Sequence, residues 1–244
     1  MGMLAAAQPA EKRTKYYALE SFYMRQGAQP ARLHEYLRGS ALPALRKAHT
    51  GPLIVLDSLI APHMPQVMLI LGFPSLDEWE NLRRKLAEDQ AYSQARAALD
   101  GDSEPPYDTQ ANVLVEATDY SPEIAPDAEP RKTSRIFELR VYHSPTRRQL
   151  RALHERFSSA EIKIFHRSGI HPILYSQTVF GPNMPNLTYL TPFENLAARE
   201  KAWEAFGADP EWAKVRKESV DKHGQISSVI QISFFRATAY SPIR

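Results

Sequence analysis

Along RIFELRVYH, Arg135–His143, apolar and aromatic residues follow a period of two. Phe137, Leu139 and Val141 fall on one face, and Ile136, Glu138, Arg140 and Tyr142 fall on the other. Such alternation with β-branched and aromatic content predicts a strand. From Ser144-Pro145-Thr146 to His166 the spacing changes: Leu150, Leu153, Phe157, Ile162 and Phe165 recur near helical intervals. His171–Phe180 reads as a second strand and NLTYLTPF as a third, and the Gly, Pro and Asn of GPNMP make the turn between them. Glu194–Phe206 and Asp209–His223 read as a helix in two pieces, and Gln225–Tyr240 as a fourth strand. The order β-α-β-β-α-β is the ferredoxin-like split βαβ plan.

The pattern occurs twice. Met64 and Met184 stand 120 residues apart, and Pro62/Pro182, Pro65/Pro185, Phe73/Phe193 and Asp89/Asp209 keep that interval. One register held through proline, aromatic and acidic positions marks a duplicated unit. The copies span 14–122 and 131–242, with the Pro- and charge-rich 123–130 as linker. The class is therefore α+β. A ferredoxin-like sheet covers one face with its own helices, so two tandem sheets predict that the uncovered faces meet, forming a fused α/β barrel within one chain. A cavity is expected between the sheets.

Composition narrows the function. With 43% hydrophobic and 24% charged residues, a net charge of +2 and both signs interspersed, the chain resembles a soluble globular protein without a basic face for nucleic acid. No apolar run reaches the roughly 18 residues of a membrane span. The absence of cysteine removes disulfides, thiolate metal sites and cysteine nucleophiles. Residues 1–13, including the small apolar stretch Leu4–Ala10, read either as a disordered N-terminus or as the remnant of a signal peptide, which leaves cytoplasm and export both open.

The phrase FELRVY, the run Gly181-x-Asn183-x-Pro185-Asn186-Leu187-x-Tyr189-Leu190, Arg199-x-x-x-Trp203 and Asp209-Pro210-Glu211-Trp212 resemble the NIPSNAP family. The likeness is diluted in the first copy, where His63, Gln66 and Leu69 stand at the places of Asn183, Asn186 and Tyr189. The resemblance implies the dimeric α/β-barrel fold, shared with antibiotic-biosynthesis monooxygenases and haem-dependent chlorite dismutase relatives, and leaves the reaction open.

If the face carrying Glu138, Arg140 and Tyr142 lines the barrel, these residues would position a small, mostly apolar ligand together with Tyr175, Asn183, Asn186 and Tyr189. In that case Arg140 offsets negative charge, and Glu138 or His166 is the nominated base of a cofactor-free oxygenase-type reaction. The alternative for Glu138 and Arg140 is an ion pair that satisfies itself. A barrel packed solid would instead indicate a non-catalytic interaction module. A third reading is haem, with His166 or His171 as axial ligand; otherwise no cofactor or metal is expected. Self-association into a homo-oligomer stays open.

Overall fold

The computed structural model describes residues 13–101, 103–129 and 131–244, so the Leu4–Ala10 stretch lies outside the described residues. The first copy contains β1 (Tyr16–Tyr23), α1 (Gln29–Tyr36), α2 (Leu42–Ala48), β2 (Leu53–Ile60), β3 (Gln66–Phe73), α3 (Leu76–Glu88), α4 (Gln90–Asp100) and β4 (Thr109–Ala117). The second repeats the order with β5 (Ile136–His143), α5 (Arg147–Arg156), α6 (Ile162–Arg167), β6 (Leu174–Phe180), β7 (Asn186–Phe193), α7 (Leu196–Gly207), α8 (Pro210–His223) and β8 (Val229–Ala237). The second strand starts at Leu174 rather than His171, because Pro172 has no amide hydrogen for the ladder.

The continuous helix expected up to His166 is interrupted. A π-helical turn, Phe157–Glu161, separates α5 from α6, and Leu37–Ala41 separates α1 from α2 at the repeat-related place. Helix starts follow local chemistry: Ser75, Thr146, Asn195 and Asp209 accept hydrogen bonds from backbone amides of the first turn.

All eight strands close into one antiparallel barrel in the order β1-β3-β2-β8-β5-β7-β6-β4. Each half supplies four adjacent strands, and the halves join where β2 pairs with β8 and β4 with β6. This is a fused pair of ferredoxin-like units. Three apolar layers result. Inside the barrel, Tyr17, Leu19, Ile54, Met68, Ile70, Val115, Phe137, Leu139, Leu190 and Phe235 pack together. Outside, one layer lies between β1–β3 and the helices of the first half, and another between β5–β7 and those of the second.

This arrangement corrects the face assignment for the second copy. Phe137 and Leu139 point into the barrel, whereas Tyr142, Tyr175 and Tyr189 belong to the helix-covered layer. Both faces of these strands are buried, so alternation defines two faces without ranking them.

Candidate functional site

At one end the barrel opens into a cavity. The open end is framed by the β2–β3 and β6–β7 turns, which contain cis Met64–Pro65 and Met184–Pro185. Pro65 and Pro185 each accept, at 3.0 Å, a backbone hydrogen bond from the residue following the neighbouring strand, Met24 and Ser144. The repeated Pro-x-Met-Pro thus shapes the rim in both halves.

Inside the rim is a cavity of about 190 Å³. Leu19, Met68, Val113, Leu139, Val141 and Phe235 give it apolar walls, and Ser21, Gln66, Thr178, Asn186, Thr188, Gln231 and Ser233 add hydroxyls and amides. Asn186 is held by neighbours: its Oδ1 accepts from Thr178 Oγ1 at 3.0 Å and Thr188 Oγ1 at 3.1 Å, and its Nδ2 donates to the Asn183 carbonyl. Asn183 adopts φ 64°, a left-handed conformation that asparagine tolerates better than most residues. Among the lining residues only Tyr23 and His63 are titratable. His63 Nε2 lies 3.1 Å from the Met24 carbonyl, so it is the protonated nitrogen and Nδ1 is left as the acceptor. Of the expected site residues, the structure brings Asn183 and Asn186 to this cavity. Ser21, Tyr23, His63 and Gln66 come from the first copy, so the mouth belongs to both halves.

Glu138, Arg140, Tyr142, Tyr175 and Tyr189 form a different constellation beneath the helices. Glu138 is fully buried and accepts a two-pronged bond from Arg199 Nε and Nη2, each at 3.0 Å, a third from Trp203 Nε1 at 3.0 Å and a fourth from Arg140. The Arg140 guanidinium lies 3.6 Å from the Trp203 ring centroid and donates to Tyr142 Oη, which also receives the Tyr189 hydroxyl at 2.8 Å. Burial alone would raise the Glu138 pKa, but the hydrogen bonds and charges of Arg199 and Arg140 outweigh it and hold the carboxyl below its usual range. Burial pushes the Tyr189 hydroxyl well above its ordinary pKa. Glu138 is therefore occupied by four donors and lies outside the barrel, so it is not placed to act as a base on anything in the mouth. Tyr175 Oη is buried without a hydrogen-bond partner.

His166 and His171 stack on each other at the exposed end of α6, with ring centroids 5.2 Å apart. Two exposed imidazoles against each other do not enclose a macrocycle, and the residues here do not fit haem. Among the described residues no group of three His, Asp or Glu gathers to hold a metal ion, and no helix is long and apolar enough to cross a membrane.

Periodicity overlooked Glu161. It follows Phe157 and precedes Phe165 at intervals of four, a charged residue on an otherwise apolar helix face, and that spacing was its available signal. It is 2% exposed and pairs with Arg156 Nε at 2.7 Å. Burial pushes its carboxyl up to about 7, despite the opposing charge of Arg156. The folded protein thus binds a proton there between the ordinary carboxylate range and pH 7, where the unfolded chain does not. The stability this contributes is complete at acid pH below the unfolded value and is lost as pH rises through 7, by up to about 3 kcal/mol. Urea midpoints of wild type should fall between pH 5 and 8 more steeply than those of Glu161→Gln; parallel profiles would remove this assignment.

Comparison with known proteins agrees with the geometry. The NIPSNAP family model matches residues 137–242, from the first strand of the second half onward. Solved structures share the fold over 92% of this chain. A Fusobacterium nucleatum protein provisionally named a monooxygenase superimposes with a TM-score of 0.57 at 8% identity, covering 92% of this chain and 93% of that one. An anthrone oxidase-like protein gives 0.54 at 11%, covering 92% of each. A protein provisionally named a chlorite dismutase gives 0.51 at 14%, covering 92% and 95%. At these identities the likeness concerns fold: this is the dimeric α/β barrel, here made within one chain. No curated protein matches the sequence.

Proposed function

We propose that this protein binds a small, mostly apolar molecule in the mouth of its barrel. The observation that carries the reading is the lining of the 190 Å³ cavity, apolar along its walls with a few directed hydroxyls and amides, contributed by both halves. Indole, with one N–H for the polar groups, is a suitable probe. Ser233→Phe places a ring inside the cavity and is expected to weaken indole binding at least about tenfold by calorimetric titration. Equal affinity in the variant would overturn the reading.

The catalytic form of this proposal is oxygenation of a carbon acid without a cofactor. His63 Nδ1 takes a proton from the substrate CH₂, the carbanion adds O₂ to give a hydroperoxide, and loss of water leaves the ketone, so that R₂CH₂ and O₂ become R₂C=O and H₂O. With anthrone as probe, His63→Ala is expected to slow oxygen consumption about 100-fold; an unchanged rate would exclude His63 from that role. The alternative, a non-catalytic interaction module, is favoured by one observation: the outer side of β8 exposes Ile230 and Ile232, where the first copy has Gln110 and Asn112. Absence of both indole binding and anthrone turnover would favour it.

A further inference from the structure

Comparing the two copies reveals a second opening, on the outer side of the sheet and away from the barrel mouth. In the first half, Tyr107 packs edge-on against Phe22 with ring centroids 5.0 Å apart and receives a hydrogen bond from Arg96 Nη2. Arg96 Nε also pairs with Asp100 at 2.8 Å. These side chains plug the corner between β1, α4 and the segment entering β4. The interval that relates the copies converts Phe22, Arg96, Asp100 and Tyr107 into Tyr142, Arg216, Val220 and Ser227. The plug is gone, and a cavity of about 260 Å³ occupies the corner.

The chemistry of this cavity is graded from the closed end to the open one. Glu161, 2% exposed, lines it at depth beside Arg156. Tyr142 and Trp212 add aromatic edges to the lining; the Trp212 ring itself is held between the Arg156 guanidinium, 5.0 Å from its centroid, and Phe206, 4.5 Å from it. Arg216 lines the same cavity, is exposed, and among the described residues has no hydrogen-bond or ion-pair partner. Its first-copy counterpart is fully engaged, as described above.

We propose that this corner of the second half is a separate ligand site for a single-ring aromatic carboxylate carrying a hydroxyl opposite the acid group. The ring packs against the edges of Trp212 and Tyr142, the carboxylate meets the free Arg216 guanidinium at the entrance, and the hydroxyl donates to Glu161 at the closed end. A cavity of this volume lies just under the usual range for drug-sized ligands and suits a one-ring molecule. The site is independent of the barrel mouth, so either can fail without the other.

The probe is 4-hydroxybenzoate, titrated into the full chain by calorimetry at low salt. Saturable one-to-one binding is expected. Ser227→Tyr, which restores the plug of the first copy, should weaken it at least about tenfold, and Arg216→Ala, at an exposed position with little bearing on folding, about tenfold. Ser233→Phe in the barrel mouth should leave it unchanged. Benzoate should bind more weakly than 4-hydroxybenzoate, because it cannot donate to Glu161. The proposal is overturned if wild type shows no saturable binding, if Ser227→Tyr and Arg216→Ala bind as well as wild type, or if Ser233→Phe is the variant that loses binding.

Discussion

Glu138→Ala is expected to lower stability by about 3–5 kcal/mol, the cost of breaking a buried ion pair by removing one partner. For a chain of this size that corresponds to a melting point lower by about 6–20 °C. The reason is the geometry around the carboxylate. It accepts from Arg140, from two nitrogens of Arg199 and from the Trp203 indole. Without it, two guanidiniums confront each other in a layer from which water is largely excluded, and the Trp203 N–H loses its acceptor. Removing the carboxylate together with the more deeply buried guanidinium should cost less, because Arg199 keeps Glu200 as a partner, so Glu138→Leu combined with Arg140→Met is expected to melt above Glu138→Ala. Calorimetric unfolding of the three proteins tests this. A loss below about 1 kcal/mol for Glu138→Ala would mean the network contributes little.

Residues 131–244 produced alone are expected to form a homodimer rather than a stable monomer. In the whole chain this half hides Phe137, Leu139, Leu190 and Phe235 inside the barrel, against Tyr17, Met68 and Ile70 of the first half. Alone, it would present that face to water at roughly 25 cal/mol for each Å² exposed. Its edge strands would also lose their partners, since β8 pairs with β2 and β6 with β4. A second copy offers the same remedy, because β2 corresponds to β6 and β4 to β8 under the repeat, so β8 of one copy can pair with β6 of the other. Light scattering coupled to size exclusion measures the mass directly. A folded, monomeric second half would show that the barrel interior is not what holds the units together.

The candidate sites were legible in unequal measure. Asn183 and Asn186 were readable because they mark where the second copy departs from the first in the Pro-x-Met-Pro turn, and the structure sets both at the mouth. Their counterparts His63 and Gln66 line the same opening, so the substitutions differentiate two sides of one cavity. The tyrosines were recognisable as special but not as neighbours of helices. In sequence Glu138 reads as a barrel-lining residue or as half of a local pair with Arg140, until α7 arrives, 61 and 65 residues later, with Arg199 and Trp203. Nothing near Glu138 in sequence announces those partners.

The sequence by itself determined the duplication, the β-α-β-β-α-β order of each copy and, because the helices of such a unit cover only one face of its sheet, the need for the copies to meet. These follow from local periodicity and from burial that each unit cannot complete alone. Only the tertiary structure decided which face of each strand turns inward. Both faces carry large apolar residues and both are buried, so period two leaves a twofold choice of sense, and the polar groups do not resolve it because they are tolerated wherever distant donors satisfy them. The barrel took Phe137 and Leu139, and the helix layer took Glu138 and Arg140, because only α7 could supply the guanidinium and the indole that make burying a carboxylate affordable.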